Sequence, residues 1–396
     1  MTNPALSPTP MQRLLSLDVL RGITIAFMIM VNNNGGPGSW HFMNHAQWNG
    51  LTATDLVFPT FVFVVGASIV FAFHARIKRG ATRTQLAWHT VQRAVILLLL
   101  GMVVNNFPFF HWEYMRFYGV LQRIAVCYLI VGLFYIWDQR VSTKVVALVA
   151  AIVGYWILLR WVPVPGAGMP GRDIPFMDKG MNLVSWLDRL LMPHHLYLEY
   201  PGPGVTDPHN LRDPEGLLSD LPAVGTALIG VLAGLWLRGQ RAAKTTALGL
   251  AAAAVTCLAL GYLWSLEFPL NKNLWTSSFV LVAAGWSLTV LTLSYWMVDI
   301  LGWGKGQSKG LVYPWLVLGS NAITAYMFSE LVPGLLERIE FMSDGKKTNL
   351  PAWIANHVFI HMPTPGWAAF AFSFFTLFYC FIPVWILYRK KIFVKV

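Results

Sequence analysis

The chain has 396 residues, of which 56% are apolar and only 12% are charged, and its formal net charge is +11. A soluble protein of this size needs more charge to cover its surface, so a soluble fold is excluded. Nucleic acid is not an expected partner, because no basic stripe with interleaved aromatic residues accompanies the positive charge. The expected surrounding is the lipid bilayer.

Ten apolar runs approach the roughly 20 residues that a helix needs to cross a bilayer. In chain order they are 14–31, 55–73, 86–105, 119–137, 145–162, 221–237, 246–266, 275–298, 311–332 and 366–388. The predicted fold is an all-α integral membrane bundle, with residues 1–396 forming one transmembrane domain. Residues 163–220 and 333–365 are predicted to be long external segments. Within the first, Leu183 to Leu198 is predicted to lie as an interfacial helix.

Positive charge is distributed unevenly between the connecting segments. Every second segment, counted from the N-terminus, belongs to a basic set. Together these segments hold sixteen Lys and Arg residues, and they are the stretch up to Arg13, 74–85, 138–144, 238–245, 299–310 and the tail after 388. The alternate short loops 32–54, 106–118 and 267–274 hold only Arg116 and Lys272. Cytoplasmic loops carry the excess of Lys and Arg. Both termini are therefore predicted to be cytoplasmic, in a multi-pass protein of the cytoplasmic (inner) membrane whose 32–54 loop faces the periplasm or exterior.

The first predicted external loop is crowded with polar side chains. It begins with three asparagines at Asn32 and a Gly-rich turn, and it continues into His45-Ala46-Gln47-Trp48-Asn49-Gly50. Amides and indoles suit a neutral ligand rich in hydroxyls, whereas the alternative is an ordinary polar loop with tryptophan at the membrane interface. His45 is the candidate general base. Asp55 begins the second span, where it could orient a histidine or cap the helix.

Ionisable residues inside the spans form a second group of candidates. Asp18 and Arg21 are three residues apart, so they share a helix face and are predicted to neutralise each other. Gln122 and Arg123 lie a quarter of the way into the fourth span. A permanent cation there suits an anionic ligand that reaches into the membrane. The alternative is an ion pair between Arg123 and Asp18 or Asp55.

Polar residues also flank three later spans. Asp213 and Glu215 precede the sixth span, where they could cap the helix or bind a cationic amine. Lys272 and Asn273 precede the eighth span, and Asn321 breaks the ninth with polar atoms. No metal site is expected, because the remaining histidines lack ligand spacing with carboxylates or cysteines. The three cysteines lie in apolar runs and are predicted to be buried hydrophobes.

In this order, the segments resemble the heparan-α-glucosaminide N-acetyltransferase family of the transmembrane acyltransferase superfamily. The block from His45 to Pro59 is the specific part of the likeness. The other matching pieces are Ser16–Gly22, Gly119–Ile124, Asp213–Leu217, Asn271–Trp275 and Gly319–Ala322. The likeness runs from residue 13 to about 390. It implies a short form, without the large luminal domain of animal members.

The resemblance implies that acetyl-CoA is the co-substrate and that a glucosamine-type amino sugar across the membrane receives the acetyl group. It matches His45 to the catalytic histidine, as general base or acetyl carrier, and Asn32 to its asparagine partner, with Asn33 and Asn34 left open. The candidate sugar contacts are Trp48, Asn49, Asp213 and Glu215. The candidate acetyl-CoA contacts are Gln122, Arg123, Lys272, Asn273 and Asn321.

Two other functions fit the same features. A secondary transporter of amino sugars would also need about ten spans and buried charges. An O-acetyltransferase for envelope glycans would use the same apparatus on a hydroxyl acceptor. The oligomeric state is left open, with a homodimer as the candidate.

Overall fold

The computed structural model of the protein describes residues 14–35, 38–197, 211–304, 309–343, 345–359 and 361–394. Its long helices are α1 (Leu15–Asn32), α2 (Val57–Lys78), α3 (Arg83–Asn106), α4 (Val120–Trp137), α5 (Val141–Trp161), α6 (Leu183–Leu191), α7 (Asp220–Arg238), α8 (Ala243–Trp264), α9 (Ser277–Ser294), α10 (Lys309–Ser320), α11 (Ala322–Leu336), α12 (Leu350–His357) and α13 (Pro365–Arg389). Two short strands, β1 (Glu340–Ser343) and β2 (Lys346–Asn349), pair between α11 and α12. Four residues used in the predictions above, Arg13, Leu198, Lys305 and Lys395, lie outside the described residues.

The helices confirm a membrane bundle of about ten spans. Within the described part of the chain, nine helices are long and apolar enough to cross a membrane: α1 to α5, α7, α8, α9 and α13. The predicted ninth span corresponds to α10 and α11, which meet at Asn321 with a bend of 74°. That the termini are cytoplasmic stays a prediction.

The spans divide into a central and a peripheral set. In α7, 78% of the 18-residue apolar stretch that could cross the membrane is buried inside the protein. The helices α1, α2, α4 and α9 are similarly enclosed. In α3, α5 and α13 only 22% is buried, so their remaining surface is left for lipid. The core therefore lies around α2, α7 and α9, and the loops that join these central helices hold the polar residues described below.

Glycine lets the central helices approach closely. A Cβ at Gly66 of α2 would overlap the carbonyl oxygen of Ala227 in α7, and one at Gly230 of α7 would overlap that of Phe63 in α2. Small residues serve this purpose in membranes, where association depends on packing rather than on the hydrophobic effect. The contact fixes α7 against α2, and it thereby fixes the segments that precede both helices.

The predicted polar pair in α1 is present, since Arg21 Nη1 donates to Asp18 Oδ1 at 3.0 Å. A helix also forms in the segment predicted to lie at the membrane interface, but it is shorter than predicted, because α6 ends at Leu191. That this helix is interfacial stays a prediction. A β-hairpin within 333–365 was not predicted, although the Asp-Gly sequence at 344–345 is typical of such turns.

Candidate active site

The block from His45 to Gly50 packs against the segment that precedes α9. Gly50 N donates to Leu270 O at 2.9 Å, and Asn271 Nδ2 donates to Asn49 Oδ1 at 3.1 Å. Trp48 Nε1 donates to Met177 O at 2.9 Å, which ties the block to the segment before α6. These contacts place the block at the end of the bundle where α1 ends and α2 begins, hereafter the loop end.

Asp55 orients the ring of His45. Asp55 is 1% exposed, and its Oδ1 lies 2.7 Å from His45 Nδ1. Its Oδ2 accepts from Ala46 N at 3.1 Å, Thr52 N at 2.9 Å and Thr52 Oγ1 at 3.0 Å. A carboxylate held by these donors accepts from the ring, so the imidazole proton belongs on Nδ1 and the lone pair on Nε2. The side chain of His45 is 48% exposed, so a substrate can reach the ring.

Lys272 lies at the other nitrogen of the same ring. Its Nζ is 3.4 Å from His45 Nε2. Burial lowers the pKa of Lys272 below its ordinary value, although the Glu215 and Asp55 carboxylates oppose that shift. The two nitrogens of His45 therefore meet a carboxylate on one side and an ammonium on the other.

The turn that carries Lys272 is fixed by its neighbours. Asn271 Oδ1 accepts from Leu274 N at 2.9 Å, and Trp275 N donates to Lys272 O at 3.1 Å. Trp275 has a positive φ of 51°, which costs a non-glycine residue on the order of 1–3 kcal/mol. Its fully buried indole and the bond from Nε1 to Thr226 Oγ1 at 3.1 Å hold that conformation.

Arg116 pairs with both Asp213 and Glu215, the carboxyls expected either to cap a helix or to bind a cationic amine. Its Nε and Nη2 donate to Asp213 at 2.9 and 2.7 Å, and Nη2 also lies 2.5 Å from Glu215 Oε2. Burial alone would raise the pKa of Glu215, but Arg116 and then Lys272 hold it below its ordinary value. Both carboxyls are buried, and they connect the turn before α7 to the Lys272 side of the site.

Arg123 is surrounded by acceptors at the start of α7. It is 1% exposed, and its Nε donates to Asp220 Oδ1 at 2.8 Å. Its other nitrogens donate to Pro214 O at 3.4 Å, to Gly216 O at 3.2 Å and to the hydroxyl of Ser219. Neither predicted ion-pair partner is correct, because Asp18 pairs with Arg21 and Asp55 pairs with His45.

Asp188 adds a carboxyl that the sequence did not reveal as part of this region. Its Oδ1 accepts from Leu217 N at 2.9 Å, and the side chain is fully buried. Burial raises the pKa of Asp188 to about 7, and the nearby Asp213 carboxylate adds to the shift. The loop end thus holds several buried charges behind the exposed ring of His45.

The three asparagines at the end of α1 have different hydrogen-bond partners. Asn32 Nδ2 donates to Glu330 Oε1 of α11 at 2.8 Å, and Asn33 Nδ2 donates to Ile29 O at 3.0 Å. Asn34 Nδ2 donates to Asn44 Oδ1 at 2.9 Å, next to His45. The asparagine that the resemblance matches is therefore tied to α11, whereas Asn34 is tied to the residue that precedes His45.

The remaining acetyl-CoA candidates belong to three separate parts of the fold: α4, the Lys272 turn and the junction of α10 and α11. Gln122 is 6% exposed, and neither atom of its amide has a hydrogen-bond partner in the described part of the protein. Asn273 is half-buried in the Lys272 turn. Asn321 Nδ2 donates to Ile392 O at 3.2 Å and its Oδ1 accepts from Val394 N at 2.9 Å, so Asn321 holds the segment after α13.

Sequence reasoning missed four charged residues of this region: Arg116, Asp188, Asp220 and Glu330. The one signal for Arg116 was its position in a short loop set otherwise almost free of Lys and Arg. Asp220 and Asp188 gave no signal, because their partners lie 97 and 29 residues away along the chain. Among the residues that the structure describes, no group of three His, Cys, Asp or Glu side chains could hold a metal ion.

The fold and the site define a multi-pass helical membrane protein with an oriented histidine at one end of its bundle. Residues 13–165 match the family model described as "Heparan-alpha-glucosaminide N-acetyltransferase, catalytic". The chain is 29% identical to heparan-alpha-glucosaminide N-acetyltransferase of Homo sapiens, over 97% of this chain and 60% of the relative. It is likewise 29% identical to the Mus musculus protein of that name, over 81% of this chain and 54% of the relative.

The resemblance that the motifs indicate is thereby confirmed. The chain spans about 60% or less of the length of these two relatives. His45, Asp55, Gln122 and Arg123 lie within the matched segment 13–165, whereas Lys272 and the acidic pair before α7 lie beyond it.

Proposed function

We propose that the chain is an acyltransferase that moves an acetyl group from acetyl-CoA to the amine of a glucosamine-type sugar. The observation that carries this proposal is the Asp55–His45 pair, at 2.7 Å, inside the segment that matches the family. A buried carboxylate on Nδ1 leaves an exposed imidazole with a basic Nε2, which is what an amine acceptor needs.

His45 acts as the base in the direct route. The sugar nitrogen attacks the thioester carbon, a C–N bond forms, and Nε2 takes the proton that the nitrogen sheds. The C–S bond then breaks, and the imidazolium returns the proton to the departing thiolate. Asp55 stabilises the imidazolium that exists between these steps. In the acetyl-carrier route, Nε2 itself attacks the thioester, and the C–S bond breaks as coenzyme A leaves as a thiolate. The sugar amine then attacks acetyl-His45, the bond between the acetyl carbon and Nε2 breaks, and the freed imidazole takes the amine proton and passes it to the thiolate.

The acceptor sugar is proposed to lie on the His45–Gly50 block. The Trp48 ring could stack on the sugar, and the Arg212 guanidinium lies 5.3 Å from the centroid of that ring. Asn49 is exposed. We assign Asp213 and Glu215 to holding the loop end rather than to the sugar amine, because Arg116 occupies both carboxylates.

The donor is proposed to approach from the opposite, cytoplasmic side. The basic segments at that end include Arg238, whose Nη1 lies 3.1 Å from His74 Nδ1, together with the exposed Lys78 and Arg79. Such cations suit the phosphates of the coenzyme. Its pantetheine arm would thread between helices across much of the ~30 Å hydrocarbon core. The loop end would then face the periplasm or exterior.

The test is release of free thiol from acetyl-CoA by purified protein with glucosamine. The wild type should release thiol and form N-acetylglucosamine. His45→Ala should keep its affinity for acetyl-CoA but lose turnover by roughly 10²–10⁴-fold, the usual contribution of general acid–base catalysis. His41→Ala is the matched control, because His41 is an exposed histidine of the same loop, and its turnover should stay unchanged.

Three outcomes would count against the proposal. Full turnover in a folded His45→Ala variant would remove the base. Uptake of glucosamine without thiol release would indicate a transporter. Thiol release with a sugar that offers only hydroxyl groups, but none with glucosamine, would indicate an O-acetyltransferase.

A further incubation distinguishes the two routes. Acetyl retained on the wild-type protein after incubation with acetyl-CoA alone, and absent from His45→Ala, would select the acetyl-carrier route.

A further inference from the structure

We infer that Lys272 is a second catalytic residue, whose ammonium holds the acetyl carbonyl oxygen as that oxygen becomes negative. The inference rests on the proposed acetyl transfer and assigns a role beyond it. During attack, the incoming nitrogen and the carbonyl oxygen are bonded to one carbon atom. The base for the nitrogen and the donor for the oxygen must therefore be neighbours, and Lys272 Nζ lies 3.4 Å from His45 Nε2.

Several other donors of the same loop are already engaged. The amide of Asn32 donates to Glu330 at 2.8 Å, and that of Asn34 donates to Asn44 at 2.9 Å. The N–H of Thr52 donates to Asp55, and its hydroxyl lies within hydrogen-bond distance of two acceptors, Asn44 O at 2.7 Å and Asp55 Oδ2 at 3.0 Å. An ammonium has three donors, so Lys272 can meet Nε2 in the resting site and the carbonyl oxygen in the reacting one.

The surroundings of Lys272 suit this role. The strained and buried turn at Trp275 fixes its backbone, so little reorganisation is needed when charge develops. The charged groups that act on it are Glu215 and Asp55, which favour the ammonium, and Arg123 and Arg116, which oppose it. Burial makes the ammonium a stronger acid than an ordinary lysine, and a stronger acid is a stronger hydrogen-bond donor to an oxyanion.

The step keeps protons and charge in balance. The amine nitrogen bonds to the carbonyl carbon, and the oxygen takes up the electron pair of the C=O π bond beside the Lys272 ammonium. His45 Nε2 receives the proton from the nitrogen. The C=O bond re-forms as the C–S bond breaks, and the thiolate leaves and is protonated by His45. Lys272 keeps its three protons throughout, so the role needs a charge and not a proton transfer.

The experiment compares wild type with Lys272→Gln and Lys272→Arg, using thiol release across pH and acetyl-CoA affinity. Lys272→Gln should lose roughly 10²–10³-fold in kcat, the effect of removing one oxyanion donor, with the affinity unchanged. Lys272→Arg should recover part of that loss. Wild-type kcat should fall on the alkaline side below the ordinary lysine pKa, because burial lowers the pKa of Lys272. Arginine stays charged there, so Lys272→Arg should lack this alkaline fall.

Several results would overturn the inference while leaving the proposed function intact. A Lys272→Gln variant with full kcat and weakened acetyl-CoA affinity would make Lys272 a coenzyme contact. Full kcat with only a lowered melting temperature would make it structural. If Lys272→Gln fails to fold, Lys272→Arg still decides the question. A kcat that falls at alkaline pH in Lys272→Arg as it does in the wild type would overturn the inference, because arginine stays charged there. A wild type that releases no thiol at any pH would overturn both.

Discussion

Both carboxylate oxygens of Asp55 hold His45 and the short segment that links the two residues. Oδ1 faces the ring nitrogen, and Oδ2 accepts from the N–H groups of Ala46 and Thr52 and from the Thr52 hydroxyl. This arrangement explains why a carboxylate lies just before α2. The turn Thr54–Leu56 brings the side chain back under the loop, where it is shielded from water and its charge acts fully on the imidazole.

Asp55→Asn tests this orientation. An asparagine amide can present its oxygen to only one of the two donor sets, and its NH₂ would then face the other. If the NH₂ faces Nδ1, the ring proton moves to Nε2 and the base is lost. We expect turnover to fall by at least about 10²-fold, the lower range for a lost general base, while acetyl-CoA affinity is kept. Turnover in Asp55→Asn close to that of wild type would show that the pair is only structural.

At the residue level, the sequence indicated His45 and a histidine-orienting role for Asp55, but not the position of Lys272 beside the ring. The motif around His45 and the position of Asp55 named both members of the pair, because they are ten residues apart in one loop. Lys272 comes from a loop 227 residues away, and its place beside Nε2 depends on how α9 packs. The charge count marks Lys272 and Arg116 as the two basic residues in the short loops that are predicted to be external, and both residues lie in the site.

At the scale of elements, the hydrogen bonds of Arg123 link α4 to the start of α7. Its acceptors all belong to residues 214–220, the turn that leads into α7, and the guanidinium also lies 4.8 Å from the centroid of the Trp275 ring. One cation thus joins α4, α7 and the turn that carries Lys272. This role differs from the predicted contact with acetyl-CoA, and the two can be separated by stability measurements.

Arg123→Gln should lower the melting temperature of the unliganded protein. Removing the cation leaves Asp220 buried without its partner, a loss that typically costs about 3–5 kcal/mol. The added stability from acetyl-CoA should be preserved. Arg140→Gln is the matched control, because Arg140 pairs with Asp138 on the surface at 3.3 Å, and its melting temperature should not change. An unchanged melting temperature with a smaller increment from acetyl-CoA would instead place Arg123 at the coenzyme.

The elements themselves were largely predictable, and their arrangement was not. Nine of the ten apolar runs form one long helix each and the ninth run forms two, α10 and α11, since the bilayer requires every backbone polar group to be bonded within the span. Composition could not distinguish the enclosed α7 from the lipid-facing α3, because apolar side chains suit both surroundings. The break at Gly319-Ser320-Asn321 was visible as polar atoms in an apolar run, but the 74° bend was not.

At the scale of the whole molecule, the proposed transfer depends on the two ends of one bundle. The oriented histidine, its lysine neighbour and the buried ion pairs lie at the loop end, and the basic segments 74–85 and 238–245 lie at the other. The positive-inside rule assigns the basic end to the cytoplasm. If acetyl-CoA approaches from there, the acetyl group must cross the membrane within the protein before it reaches the sugar.

The most direct test is acetyl transfer across a sealed membrane. Purified protein is reconstituted into liposomes with glucosamine trapped inside and acetyl-CoA supplied only outside, and His45→Ala liposomes serve as the control. We predict N-acetylglucosamine inside the wild-type liposomes, free thiol outside, and neither product with His45→Ala. Product that forms only after the liposomes are opened with detergent, with none in the sealed state, would contradict transfer across the membrane.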